Sequence, residues 1–206
     1  MFLKTENRTL MSARPRRIHP GPAVAIASTL KAAPAAGISG TRRPSPATAA
    51  ALTCISGRLP AGVQVFTGCA PGVDQLARSL FPAAAVLEAS RFGQSRGSFA
   101  ARSIACVQAV RAAGGVWLSF PGSYCPPGLA PTSKASQAFS GFGSGTWASL
   151  ALAAGLGLPC LVFCPTGLSF PSSWGFQFAG QAPATRSGIW YWFPGGAAPG
   201  LTQSLL

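Results

Sequence analysis

Residues 63–74, Val63-Gln64-Val65-Phe66-Thr67-Gly68-Cys69-Ala70-Pro71-Gly72-Val73-Asp74, decide the fold. The run from Val63 to Thr67 consists mostly of β-branched and aromatic side chains, which is typical of a strand. A glycine-rich turn follows, and a helix is predicted over Val73–Leu80. Asp74 falls in the first turn of that helix, where a carboxylate suits the helix dipole. A strand that runs through a tight turn into a helix is the building unit of an α/β protein.

The same alternation of strands and helices extends in both directions from this stretch. Further strands are predicted at residues 37–40, 84–88, 116–120 and 160–163, and further helices at 46–56, 98–113 and 147–154. Strands and helices that alternate at this pitch form right-handed βαβ units. The sequence therefore predicts an open parallel sheet of about five strands with helices on both faces.

Composition divides the chain into three parts. Residues 1–33 are basic and rich in Pro, Ser and Ala, and we predict a disordered tail. Residues 34–168 hold the predicted α/β domain. Residues 169–206 are rich in aromatic side chains, and we predict an extension, such as a hairpin or an edge strand, that packs on the domain.

The stretch 146–163 is apolar enough to raise the question of a membrane span. Gly155, Gly157 and Pro159 interrupt it, so a short helix, a turn and a strand describe it better. The first twenty residues are polar and basic and lack the apolar core of a secretory signal. We therefore predict a soluble, cytoplasmic protein that does not contact a membrane.

Acidic residues and histidine are almost absent, which excludes several kinds of site. The chain has three acids (Glu6, Asp74 and Glu88) and one histidine, His19. Paired-carboxylate glycosidases, carboxylate cages for Mg²⁺ or Ca²⁺, and histidine-based triads all need more of these side chains. The six cysteines contain no C-x-x-C pair. We predict no catalytic residues, no metal and no cofactor.

The formal net charge of +13 favours a polyanionic partner, because 16 Lys and Arg face only three acids. Nucleic acid, a phosphorylated small molecule and an acidic membrane surface are each a partner of this kind. Another interpretation is compositional, since Arg, Ala, Gly and Pro are all abundant, as a GC-rich coding sequence would produce. Both interpretations stay open from the sequence.

Four small or polar loops follow predicted strands, at residues 39–42, 67–70, 120–122 and 141–146. In an open parallel sheet such loops meet at the carboxyl ends of the strands, where ligands bind. Glycine lets the backbone approach a phosphate, and helix N-termini offer free N–H groups. Neither G-x-G-x-x-G nor the P-loop pattern is present, so the usual dinucleotide and nucleoside-triphosphate signatures are missing.

Four motifs occur in an order that resembles a known family. They are Ile38-Ser39-Gly40-Thr41-Arg42, Phe66 to Asp74, Ala101-Arg102-Ser103-Ile104-Ala105 and Gly143-Ser144-Gly145-Thr146-Trp147-Ala148-Ser149. They resemble the Rossmann-like superfamily that unites DNA-processing protein A (Smf/DprA) with the LOG or lysine decarboxylase-like proteins, the SLOG superfamily. The resemblance covers about residues 36–165. It implies a Rossmann-like fold with a phosphate cradle at Gly143 to Thr146 and a phosphate near Arg102.

The loops and the resemblance together predict a site for a nucleotide-type ligand. Asp74 is a candidate acceptor for a ribose hydroxyl, or else a helix residue that binds backbone N–H groups, and Glu88 is a further candidate base. The predicted ligand-binding or phosphate-binding residues are Gly40, Thr41, Arg42, Gly68, Cys69, Gly72, Asp74, Arg102, Ser103, Pro121, Gly122, Gly143, Ser144, Gly145 and Thr146.

The resemblance leaves three functions to compare. LOG hydrolases carry a catalytic glutamate where this chain has Ser149. Non-enzymatic binding of a phosphorylated nucleotide-type ligand is therefore the leading prediction. Single-stranded DNA binding, as in DNA-processing protein A, is the alternative, and a LOG-like phosphoribohydrolase is disfavoured. Relatives in both families self-associate, so the resemblance also implies a homodimer.

Overall fold

The computed structural model describes residues 21–95, 97–181 and 187–196. Six α-helices, two short 3₁₀ helices (Ala89–Phe92 and Ser172–Trp174) and seven strands are present in these residues. The helices are α1 (Pro22–Ala32), α2 (Pro46–Ser56), α3 (Val73–Leu80), α4 (Gly97–Ala112), α5 (Ala135–Ala138) and α6 (Gly145–Gly155). The strands are β1 (Ala35–Gly40), β2 (Gln64–Gly68), β3 (Ala85–Leu87), β4 (Val116–Phe120), β5 (Cys160–Pro165), β6 (Gln177–Gln181) and β7 (Gly188–Phe193).

The strands form one sheet in the order β3-β2-β1-β4-β5-β7-β6. The first five are parallel, and β7 lies antiparallel to both β5 and β6. The predicted α/β class with an open, mostly parallel sheet is confirmed, and the architecture is Rossmann-like. The sheet has seven strands rather than about five, because the aromatic segment near the C-terminus adds β6 and β7 beside β5.

The helices cover both faces of this sheet and divide the core in two. On one face α4 and α6 pack over a cluster that includes Trp117, Leu150 and Val162. On the other face α1, α2 and α3 pack over a cluster that includes Ile38, Leu52 and Leu118. Both clusters contain strand residues because successive side chains of a strand point to opposite faces.

The strand order reverses between β1 and β4. The chain moves outward from β1 through β2 to β3, and after α4 it returns to β4 on the other side of β1. The connections from β1 and from β4 therefore leave in opposite directions at the carboxyl end of the sheet. This is the place where open α/β sheets leave a crevice for a ligand.

Helix α1 corrects the prediction of a disordered tail over residues 1–33. Pro22 occupies the first turn, where proline is well tolerated, and Ile26 and Leu30 are buried one helical turn apart. These two side chains join the cluster beneath α2 and α3. The prediction is thus wrong for residues 22–32, and residues 1–20 lie outside those that the structure describes.

Residues 146–163 divide as predicted into a helix, a turn and a strand. Helix α6 ends at Gly155, and β5 begins at Cys160. Gly157, with φ of 80°, lies between them in the left-handed region that favours glycine. Throughout the described ranges, every helix falls short of the length and apolar character that a bilayer crossing requires.

Candidate functional site

A cleft of about 840 Å³ opens at the carboxyl end of the sheet. The ends of β1 and β2, the loop after β4, one side of α4 and the start of α6 surround it. Clefts of roughly 300–1,000 Å³ are typical of small-molecule sites. The loops therefore meet, as predicted, at the carboxyl end of the sheet where the strand order reverses.

Thr41 joins the loops on one side of this cleft. Its backbone N–H donates to the Phe120 carbonyl oxygen at 2.9 Å, and its carbonyl oxygen accepts from the Val73 N–H at 3.0 Å. Gly122 lies so close that a Cβ there would overlap the Thr41 side chain, and Gly72 approaches the Thr41 carbonyl in the same way. The turns after β1 and β4 and the start of α3 thus form one packed unit.

The N-terminus of α6 forms the opposite side. Ser144 caps the helix by accepting from the Trp147 N–H at 3.5 Å. Gly143, Gly145 and Thr146 complete this turn and also line the cleft. The Trp147 indole N–H donates to the Ser123 carbonyl oxygen at 2.8 Å, which ties the helix to the loop after β4. The free N–H groups of a first helical turn favour an anion.

A buried ion pair lies at the β2 side of the cleft. Arg102 Nη1 donates to Asp74 Oδ2 at 3.1 Å, and the two side chains are only 11% and 8% exposed. Burial raises the pKa of the Asp74 carboxyl above its ordinary 3.8, while Arg102 and the Ala70 backbone act in the opposite direction. Arg102 Nε is buried and has no hydrogen-bond partner among the described residues. The guanidinium therefore keeps a donor that Asp74 does not use.

Gly68 makes room for this pair. A Cβ at Gly68 would occupy the position of Arg102 Nη1 and would also overlap Asp74 Oδ2. Arg78 fixes the turn from beneath, because its Nη1 donates to the Gly68 carbonyl oxygen at 2.6 Å and to that of Ala70 at 3.2 Å. Gly68 therefore leaves space for the Arg102–Asp74 contact as well as for a ligand to approach the backbone.

Arg42 stands at the mouth of the cleft. Its guanidinium carbon lies 5.5 Å from the centre of the Phe99 ring, a cation–π arrangement. Phe99 belongs to the first turn of α4 and is 46% exposed. Arg42 is exposed as well, so this pair offers both a positive charge and an aromatic face to solvent.

Most of the predicted site residues line this cleft together. They are Gly40, Thr41, Arg42, Gly68, Asp74, Arg102, Ser103, Gly122, Gly143, Ser144, Gly145 and Thr146. Cys69, Gly72 and Pro121 do not line it. Cys69 Sγ accepts from the Ala89 N–H at 3.4 Å instead, and Gly72 packs against the backbone of Thr41 and Arg42.

Ser149, which stands where LOG hydrolases carry a catalytic glutamate, and the candidate base Glu88 both have other contacts. Ser149 lines the cleft, but its hydroxyl donates to the Gly145 carbonyl oxygen at 2.7 Å within α6. Glu88 is exposed, does not line the cleft and lies 3.8 Å from Arg91. Asp74 is therefore the one acidic side chain among the described residues that line the cleft. No group of three or more His, Cys, Asp or Glu side chains in the described part of the chain could hold a metal ion.

Several aromatic side chains in the cleft were not predicted as site residues. Phe99, Trp117, Phe139 and Phe142 all line it. Trp117 belongs to the strand predicted at 116–120, and Phe139 and Phe142 fall between the predicted elements. The helical spacing of Phe99, Arg102 and Cys106 was the available signal, because residues three and four positions apart share one side of a helix.

Comparisons with family models, with curated proteins and with solved structures find no match to this chain. The fold class therefore rests on the topology, and the resemblance to the SLOG superfamily stays a prediction.

Proposed function

We propose that this chain binds a phosphorylated, nucleotide-type ligand in the cleft without hydrolysing it. The observation that carries the proposal is the convergence of the turns after β1 and β4, the N-terminus of α6 and two arginines on one cavity. Glycine turns and a helix N-terminus offer backbone N–H groups to an anion. The four Phe and Trp side chains at the same cleft suit a base.

The charges of the cleft support an anionic ligand. Arg42 is exposed and has its guanidinium over Phe99, and Arg102 Nε has no hydrogen-bond partner in the part of the chain that the structure describes. Asp74 neutralises part of the Arg102 charge. Arg42 has no acidic partner among the described residues, because Glu88 lies beside Arg91. The cleft is thus net positive. A bidentate guanidinium suits a phosphate group.

Replacing Arg42 tests this charge. We expect Arg42→Ala to weaken the binding of a nucleoside 5′-monophosphate by about 10- to 100-fold, because a hydrogen bond to a charged group contributes about 1.5–3 kcal/mol. Isothermal titration calorimetry measures the loss. Arg43→Ala is the matched control, since Arg43 is the next residue, is exposed and does not line the cleft. Equal losses in both variants, or equal affinity for the nucleoside without phosphate, would contradict the proposal.

The absence of hydrolysis is supported by the side chains at the cleft. Ser149 holds the position at which LOG proteins carry glutamate, and Asp74 is committed to Arg102. No free carboxylate among the described residues lines the cavity. Chromatography of the same mixtures should show no release of the free base. Release that survives Asp74→Asn and Glu88→Gln would support the disfavoured phosphoribohydrolase.

Single-stranded DNA binding is the second candidate, and the mouth of the cleft favours it. Phe99 is half exposed beside Arg42, and Arg43, the next residue along the chain, is exposed as well. Aromatic faces among positive charges are typical of surfaces that bind single strands. For a DNA contact, log K should fall with log salt at about 0.7 per neutralised phosphate. A mononucleotide pocket should lose little affinity over the same range, so a salt titration with an unstructured oligonucleotide separates the two.

Two further expectations stay predictions. They are the homodimer that the resemblance implies and the cytoplasmic location.

A further inference from the structure

Three polar side-chain atoms at neighbouring positions on β1 and β4 have no hydrogen-bond partner within the described ranges. They are Ser39 Oγ, Trp117 Nε1 and Ser119 Oγ. Gly37 pairs with Trp117 and Ser39 pairs with Ser119, so all three side chains project from the same face of the sheet. Buried polar groups are nearly always paired, and a cluster of exceptions points to a missing partner.

Trp117 is placed at the cleft by its neighbour across the strands. The ring lines the cavity and is only 1% exposed. A Cβ at Gly37 would overlap Cε3 and Cζ3 of the ring, so the glycine creates the room that the ring occupies. Ser39 also lines the cavity, whereas Ser119 is fully buried beyond it.

Helix α4 shows how the character of the cleft changes with depth. Phe99, Arg102 and Cys106 line it at helical spacing, from the exposed mouth to a buried thiol. At 1.5 Å per residue they span about 10 Å. Burial raises the pKa of the Cys106 thiol to about 12, so it is uncharged at neutral pH. Trp117, Ser39, Ala138 and Ala148 also line the cleft and, with Cys106, form its uncharged part, here called the floor. The Arg102–Asp74 pair borders this floor, and its opposite charges act on Cys106 in opposite directions.

We infer that the floor of the cleft is a second subsite, which binds an uncharged planar ring with a hydrogen-bond acceptor, such as a carbonyl oxygen or ring nitrogen of a nucleobase. The inference rests on the proposed function and deepens it. An indole N–H can only donate, so its partner must be an acceptor, and the Ser39 hydroxyl can donate or accept beside it. An anion is disfavoured on this uncharged floor, because burying an unpaired charge is costly. The phosphate then lies nearer the mouth, where Arg42 and the start of α6 supply charge and donors.

The test compares two ligands that share a phosphate. We expect wild-type protein to bind at least one nucleoside 5′-monophosphate about 10-fold more tightly than ribose 5-phosphate, by calorimetry. Trp117→Phe keeps an aromatic ring and removes the N–H. Loss of this one hydrogen bond should abolish most of the roughly 10-fold difference in affinity between the two ligands. The affinity of the variant for ribose 5-phosphate should stay within about 2-fold of wild type.

Trp174→Phe is the matched control. Trp174 is as buried as Trp117, but its Nε1 donates to the Leu129 carbonyl oxygen at 3.2 Å and it does not line the cleft. This variant should bind both ligands like wild type. Ser39→Ala provides a second, smaller change at the floor should Trp117→Phe fold poorly, and it should reduce the same margin about 3-fold.

Indole N–H signals in a ¹⁵N-correlated NMR spectrum give an independent readout. The chain has five tryptophans, and the signal missing from Trp117→Phe identifies Trp117. That signal should shift with the monophosphate and stay in place with ribose 5-phosphate. Equal wild-type affinity for the two ligands, or equal weakening of both in Trp117→Phe, would overturn the inference alone. Failure of wild-type protein to bind either ligand would overturn the proposed function as well.

Discussion

A Gly72→Ala variant is expected to lose about 3 kcal/mol of its free energy of unfolding, although Gly72 does not line the cleft. Two costs add at this position. The backbone has φ of 80° and ψ of −126°, a conformation that costs a residue with a side chain about 1–3 kcal/mol. A Cβ would also overlap the Thr41 carbonyl oxygen and lie 2.6 Å from Arg42 Cα. Such overlap in a packed region costs about 1–3 kcal/mol more.

The overlap matters for binding as well as for stability. Because Thr41 and Arg42 belong to the turn that borders the cleft, a side chain at residue 72 should displace that turn from the start of α3. Affinity for a nucleoside monophosphate should then fall at temperatures where the variant is still folded. Urea denaturation measures the stability, and calorimetry at low temperature measures the affinity.

Gly62→Ala is the matched control for Gly72→Ala. Gly62 also has φ of 80°, but no atom lies within 4 Å of the position of its Cβ. It should cost only the backbone strain, about 1 kcal/mol, and leave the affinity unchanged. Similar losses of stability in the two variants would show that backbone strain alone causes the loss and that overlap with Thr41 contributes nothing to it.

The fold was largely predictable because strand and helix periods alternate clearly between residues 37 and 163. The strand at 116–120 matches β4 at both ends, and the helix at 46–56 matches α2. Helix α1 was missed because only two of its eleven residues, Ile26 and Leu30, are buried, which leaves little apolar periodicity, and because a basic, proline-rich sequence precedes it. The sequence indicated a hairpin or an edge strand near the C-terminus but not that it joins the sheet, because β7 pairs antiparallel with β5, and β6 with β7, which is a tertiary property.

The site was predictable where glycine turns follow strands. Parallel topology requires those turns to meet at one edge, and Gly40, Gly68, Gly122 and Gly145 do line one cleft. The prediction could not say which side chains turn inward. The Cys69 side chain points to the Ala89 backbone and not into the cleft. The aromatic side chains that line the cleft lie in segments for which the sequence did not indicate a binding role. The Arg102–Asp74 pair joins residues 28 positions apart on two helices that cover opposite faces of the sheet, and the two side chains meet beside Gly68 at the end of β2.

Gly68→Ala is expected to remove the Arg102–Asp74 contact and, with it, most of the affinity for a phosphorylated ligand. The added methyl group would take the place of Arg102 Nη1, so the guanidinium would have to leave a position in which it is only 11% exposed. Overpacking costs about 1–3 kcal/mol, and a lost charged hydrogen bond about 1.5–3 kcal/mol. We expect a loss of about 3 kcal/mol in the free energy of unfolding and about 100-fold in affinity.

A double-mutant cycle with Arg102→Ala isolates the cause. Without the guanidinium, only Asp74 Oδ2, at the end of a flexible side chain, still lies against the added methyl group, so Gly68→Ala should cost less than about 1 kcal/mol in that background. Gly145→Ala controls for a methyl group at the same cleft, since Gly145 lines it but has no atom within 4 Å of its Cβ position. That variant should keep wild-type stability within about 1 kcal/mol. Equal costs of Gly68→Ala with and without Arg102 would mean that the glycine serves the turn held by Arg78 and not the guanidinium above it.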